Sequence, residues 1–155
     1  MKMLWVSNAP WVPTGYGVQT AVNTPILKAA GHDVTITAFW GLGGTPVTWN
    51  GIQVLPQGAD GYGNDVIWAD AEHVQADVIV IHADLWVFEK ALSFPEVQRR
   101  CYPWMPVDHD PIPPKVAELV KLVRRPICYS QFGLRKLQEI GIEPLYVPHS
   151  LDTEA

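Results

Sequence analysis

Val78-Ile79-Val80-Ile81-His82-Ala83-Asp84 is the stretch on which the fold turns. Four β-branched residues run without a polar break, and a histidine and an aspartate follow within three positions. A half-solvated strand alternates apolar and polar residues. An unbroken apolar run this short is the pattern of a strand covered on both faces, as in parallel sheets. Upstream, Asp65 is expected to cap a helix running to residue 76. Downstream, a short helix is expected over 86–92, followed by a strand-like run over 101–107 that carries Pro103 and Pro106.

The same alternation extends in both directions. Toward the N-terminus, residues 52–55, 34–39 and 3–6 read as strands. Residues 18–30 read as a helix, with Val18, Ala21, Val22, Ile26 and Ala29 at helical spacing and Gly31 as its stop. Pro25 is expected to kink that helix or split off its first turn. The glycine-rich stretches 40–51 and 56–64 read as loops. Toward the C-terminus, Pro113-Pro114 opens a helix to Arg124, residues 127–129 form a strand, a helix over 131–140 stops at Gly141, and 145–147 form a last strand.

Strands separated by helices require crossover connections. The expected fold is therefore α/β: a Rossmann-like, doubly wound, mainly parallel sheet of six to seven strands with helices on both faces, forming one domain over residues 1–148. Ligands of such sheets bind beyond the C-terminal strand ends, near the point where winding reverses. That directs attention to 7–17, 40–44, 82–86, 108–111 and 130–133.

Composition sets limits on function. Of 155 residues, 48% are hydrophobic and only 17% charged, so the chain can bury a core and does not read as disordered. A net charge of −5 offers no basic face for nucleic acid. Seven tryptophans are a heavy load, and exposed ones often line clefts. Cys101 and Cys128 sit in apolar runs and read as buried fillers in a reducing compartment. Met1–Val6 is a short apolar run before Ser7-Asn8, a first strand rather than a signal peptide, and no run reaches the ~20 residues of a membrane span. A cytoplasmic protein is expected.

Three segments carry candidate chemistry. Gly15-Tyr16-Gly17 precedes the first helix, where backbone amides and the helix dipole can face an anion. Position 20 is Thr, so the dinucleotide fingerprint fails, and no Lys-Ser/Thr follows as in a nucleoside-triphosphate loop. An ordinary surface turn is the competing reading. Val107-Asp108-His109-Asp110-Pro111 follows a strand; His109 and the carboxylates can hydrogen-bond a substrate, and Asp110 can cap the next helix. A metal site is disfavoured there because adjacent residues rarely face one centre. In His82-Ala83-Asp84, Asp84 can accept hydrogen bonds from a polyol or cap the helix that follows. No Gly-x-Ser-x-Gly elbow supports a hydrolase.

Taken in order, these features resemble the N-terminal half of a GT-B-fold retaining glycosyltransferase of the family-four kind. The resemblance rests on strand-Ser7-Asn8, on Gly15-Tyr16-Gly17, and on the Gly31-His32-Asp33-Val34 passage into the second strand. It continues through His109-Asp110 at a strand end, Ser130-Gln131-Phe132-Gly133 opening a helix, and Val147-Pro148-His149-Ser150-Leu151-Asp152-Thr153-Glu154. It implies transfer of a sugar from a nucleotide-sugar donor, as substrate and without a cofactor or metal. It implies His109 as the catalytic residue beside the transferred sugar. Gly15, Tyr16, Gly17 and Asp110 would lie on the donor phosphate and sugar side, and Asn8, Trp11, Asp84 and Trp86 on the acceptor side, with Tyr16 within reach of both.

The same resemblance implies a linker beginning at 149–155 and a donor-binding second domain with a Glu–x7–Glu pair. No two glutamates of this chain stand eight positions apart. The expected entity is thus the acceptor-side half, inactive alone and completed by a donor-binding domain in cis or as a separate subunit. A non-enzymatic sugar- or nucleotide-binding module and half of a GT-B-like sugar-nucleotide epimerase are the alternatives.

Overall fold

The computed structural model describes residues 1–153; residues 154–155 of the expected linker lie outside it. Eight strands form a single sheet: β1 (Lys2–Asn8), β2 (Asp33–Trp40), β3 (Val47–Trp49), β4 (Ile52–Leu55), β5 (Val78–Ile81), β6 (Cys101–Met105), β7 (Ile127–Cys128) and β8 (Leu145–Tyr146). Their order is β3-β4-β2-β1-β5-β6-β7-β8. Every neighbouring pair is parallel except β3 with β4. From β1 the chain builds outward through β2 and β4. It then returns to lay β5 on the other side of β1 and builds outward again.

The number of strands exceeds the expected six to seven because Val47–Trp49, read as loop, is a strand. It folds back on β4 through Asn50 and Gly51, whose φ values are 47° and 73°. Two left-handed residues between paired strands are what a tight hairpin requires, and Asn-Gly supplies them.

Side chains of β1 and β5 alternate between two cores. Leu4, Val6, Ile79 and Ile81 enter one cluster, while Trp5 and Val80 enter the other. Both faces of the central strands are therefore covered, which is why the Val78–Ile81 run carries no polar residue. The first cluster is completed by Ile67 and Ala71 of α2 (Ile67–His73), Leu119 and Val120 of α4 (Pro114–Val120) and Leu137 of α5 (Gln131–Glu139). The second packs against Leu27 of α1 (Gly15–Ala29). Cys101 and Cys128 are buried free thiols, and burial pushes both thiols up.

Several local expectations need correction. Gly15, Tyr16 and Gly17 form the first turn of α1 instead of preceding it, because Thr14 is the N-cap and its Oγ1 accepts from Gly17 N at 3.1 Å. Pro25 lies inside α1, which stays one helix from Gly15 to Ala29. Asp65 caps nothing; its carboxylate accepts from Ala59 N at 2.7 Å and α2 starts at Ile67. The helix expected over 86–92 is two 3-10 turns, Leu85–Phe88 and Ala91–Ser93, followed by the short α3 (Pro95–Gln98). Gly31 and Gly141, with φ of 98° and 81°, do follow the ends of α1 and α5.

Candidate functional site

β1, β5 and β6 lie side by side, so the segments that leave their C-terminal ends are neighbours. Asn8 ends β1, Asp84 follows β5, and Asp108-His109 follow β6. Two cavities open along this edge. One, of about 440 Å³, has Asp84, Trp86, Asp108, His109 and Ile112 in its wall. The other, of about 600 Å³, is bounded by Asn8, Thr14, Tyr16, Trp40, Tyr62, Asp84 and Trp86. Asp84 and Trp86 belong to both and form the ridge between them.

His109 stands at the open end. Its Nδ1 lies 2.6 Å from Asp108 Oδ1, with side-chain exposures of 66% and 73%. The contact turns the ring so that Nδ1 meets the carboxylate and Nε2 is the nitrogen that remains for a ligand. Asp84 is the inner carboxylate. Burial raises its pKa first, and the nearby charge of Asp108 raises it further. Tyr16 Oη donates to Asp84 Oδ2 at 3.5 Å; burial, then the same carboxylate, hold the phenol well above its ordinary range.

The other sequence candidates fall in different places. Asn8 Nδ2 donates to Thr14 Oγ1 at 2.7 Å, joining the end of β1 to the cap of α1. Gly17 is required for packing, since a Cβ there would stand 2.1 Å from Val12 O. Its amide is taken by Thr14, whereas a Cβ on Gly15 would meet nothing within 4 Å. Trp11 lines neither cavity; its Nε1 donates to Gly41 O at 2.8 Å. Neither aspartate caps through its side chain, although Asp84 occupies the N-cap position of the Leu85–Phe88 turn. Pro113 is the N-cap of α4, and Asp110 instead pairs with Lys136 Nζ at 2.9 Å. Asp84 precedes the turn at Leu85 without a side-chain cap and faces Tyr16. Among the described residues, no three His, Cys, Asp or Glu side chains are grouped as a metal would need.

Two features escaped the sequence reading. The aromatic residues Trp40 and Tyr62 join Trp86 in the larger cavity. Trp40 falls in the flagged interval after the second strand, so its position was the available signal. The second feature is an aromatic knot around the buried His82 and Trp104. His82 Nε2 lies 3.1 Å from His149 Nε2, and His82 stacks on Trp104 with ring centroids 4.4 Å apart. Tyr129 lies 3.9 Å from His149 between ring centroids, and Trp104 Nε1 donates to Val147 O at 2.8 Å. Burial lowers the pKa of His82 to about 3 and lowers that of His149 as well. Both rings are therefore neutral at pH 7, which lets one nitrogen donate and the other accept.

The knot anchors the chain's last described segment. Gln19 Nε2 donates to Ser150 O at 2.9 Å, Gln19 Oε1 accepts from Ser150 N at 2.9 Å, and Ser150 Oγ donates to Asn23 Oδ1 at 2.7 Å. The expected linker thus begins as a strap fastened to α1. Together these features define an α/β protein with a mainly parallel sheet and a paired cavity at the strand ends. No helix among the described residues is long and apolar enough to cross a membrane. No family model and no curated protein matches the chain.

Proposed function

We propose that this chain is the acceptor-side half of a cytoplasmic retaining glycosyltransferase, built on a doubly wound, Rossmann-like sheet of the GT-B kind. It would help transfer a sugar from a nucleotide-sugar donor to an acceptor, with a donor-binding half completing the cleft. The observation that carries this reading is the pair of cavities meeting at Asp84 and Trp86 where strand order reverses, with His109 on one and an aromatic wall on the other. Sheets of this kind take ligands at that point.

The roles this reading assigns are the following. The acceptor occupies the aromatic cavity and extends a hydroxyl over the Asp84 ridge. His109, oriented by Asp108, presents Nε2 to the transferred sugar. Asp110 is held by Lys136 near the donor side. A half-cleft holds only one reactant, and alignment of both supplies much of the rate, so this half is inactive alone.

Sugar binding to the chain itself tests the reading. Saturation-transfer NMR with a mixed panel of free sugars and nucleotide sugars should detect a ligand, and Trp86→Ala should abolish the signal. A folded chain that binds no member of the panel would falsify the proposal.

A further inference from the structure

The larger cavity also carries information about its ligand. Its wall pairs Trp40 and Trp86, exposed to 61% and 57%, with Tyr62 and the Asp84 carboxylate. Two tryptophans with more than half their surface in water at the mouth of one cavity leave large apolar faces uncovered. The polar groups are Asn8, Thr14, Tyr16 and Asp84, and no Lys, Arg or His lines the space. We infer that this cavity takes an uncharged oligosaccharide as acceptor, its pyranose rings resting on Trp40 and Trp86 and its hydroxyls donating to Asp84. The inference rests on the transferase reading above and narrows its acceptor.

Chemistry separates this ligand from its rivals. A pyranose has an apolar face of C–H bonds for an aromatic ring and a rim of hydroxyls for a carboxylate. A phosphorylated or carboxylated sugar would meet the Asp84 carboxylate, and no cation lines this cavity itself to offset the repulsion. Lys90 and Lys115 line an adjoining cavity that shares Tyr62 and Trp86 with this one, and Lys115 is paired with Glu89. A wholly apolar acceptor would bury Asp84 without a donor, since its hydrogen bond from Tyr16 is already long at 3.5 Å. A small ammonium group would suit the aromatic faces and the carboxylate, but it would fill little of about 600 Å³. That volume lies within the range of roughly 300–1,000 Å³ of small-molecule sites.

Tryptophan fluorescence of the purified chain reads the outcome directly. The probes are maltotriose, cellotriose and mannotriose, then glucose 6-phosphate and mannose 6-phosphate, then choline. At least one neutral trisaccharide should bind about tenfold or more tighter than either phosphorylated sugar. Trp40→Ala should weaken that binding about tenfold, and Asp84→Asn should weaken it severalfold while leaving the circular dichroism spectrum unchanged. Trp40 is largely exposed, and Tyr62→Ala serves as a second aromatic probe. Equal or tighter binding of the phosphorylated sugars overturns the inference and leaves the transferase reading standing. Binding of choline alone, or of none of the probes, overturns the inference, and the transferase reading falls with it only if nucleotide sugars fail to bind as well.

Discussion

His82 and His109 follow adjacent strands on one edge of one sheet, yet they have opposite surroundings. His82 has no exposed surface, packs among Trp5, Tyr16, Trp104 and Tyr129, and meets another histidine. His109 is mostly in water and meets a carboxylate. The partner decides what each ring can do. A neutral ring stacked between aromatics is a packing element that also joins the strap to the core. A solvent-facing ring with a carboxylate on Nδ1 is oriented and keeps Nε2 available. Neighbouring histidines thus divide into one that holds the edge together and one that is placed for chemistry.

Acid should separate the two regions most strongly. The folded-state pKa of His82 is about 3, against 6.5 for an unperturbed histidine, and that of His149 is also lowered. The unfolded chain therefore binds protons first as pH falls through 6.5. The contribution of the knot is complete above that pH and shrinks below it, by on the order of 4 kcal/mol from His82 by pH 3. Urea titrations at pH 7, 6 and 5 measure the slope. In His82→Phe, which keeps an aromatic ring against Trp104, the slope between pH 6.5 and 5 should flatten. An unchanged slope would assign the acid sensitivity elsewhere and break the contrast.

The strap gives the next largest effect. Gln19 pairs both ends of its amide with the backbone of Ser150 and also accepts from Asn23 Nδ2, so Gln19→Ala removes three hydrogen bonds at a partly buried site. The expected loss is ~1–2 kcal/mol by chemical denaturation. Amide exchange should accelerate at Ser150 and remain unchanged at Asp108 and His109. Faster exchange at both places would mean that the two regions open as one unit.

How far the sequence revealed this division depends on how local each feature is. The central strand was legible because burial on both faces writes itself into four consecutive residues. The ends of α1 and α5 were legible because Gly31 and Gly141 mark them. β3 was not read as a strand, although Asn50-Gly51 between Trp49 and Ile52 is a hairpin signal; three residues in a glycine-rich stretch carry too little alternation. No side-chain cap forms at Asp65, Asp84 or Asp110, for a different reason. Each has a partner supplied by another segment: Ala59, Tyr16 and Lys136 respectively. The knot was the least legible feature, since His82 and His149 are 67 residues apart. Nothing near either position marks the other, and only the folded sheet brings Trp104 and Tyr129 around them.

The smallest effect on stability should come from the open histidine, and it is the most informative one. His109→Ala removes an exposed ring hydrogen-bonded to an exposed carboxylate, so unfolding free energy should change by less than ~0.5 kcal/mol. In a transferase containing this chain, turnover should nevertheless fall by roughly 10²–10⁴. Asp108→Asn keeps a side chain of similar shape but removes the charge that Nδ1 meets. It should therefore lower turnover less, by roughly 10–100-fold. Unchanged turnover in His109→Ala would remove the ring from the site and leave the two histidines differing only in exposure.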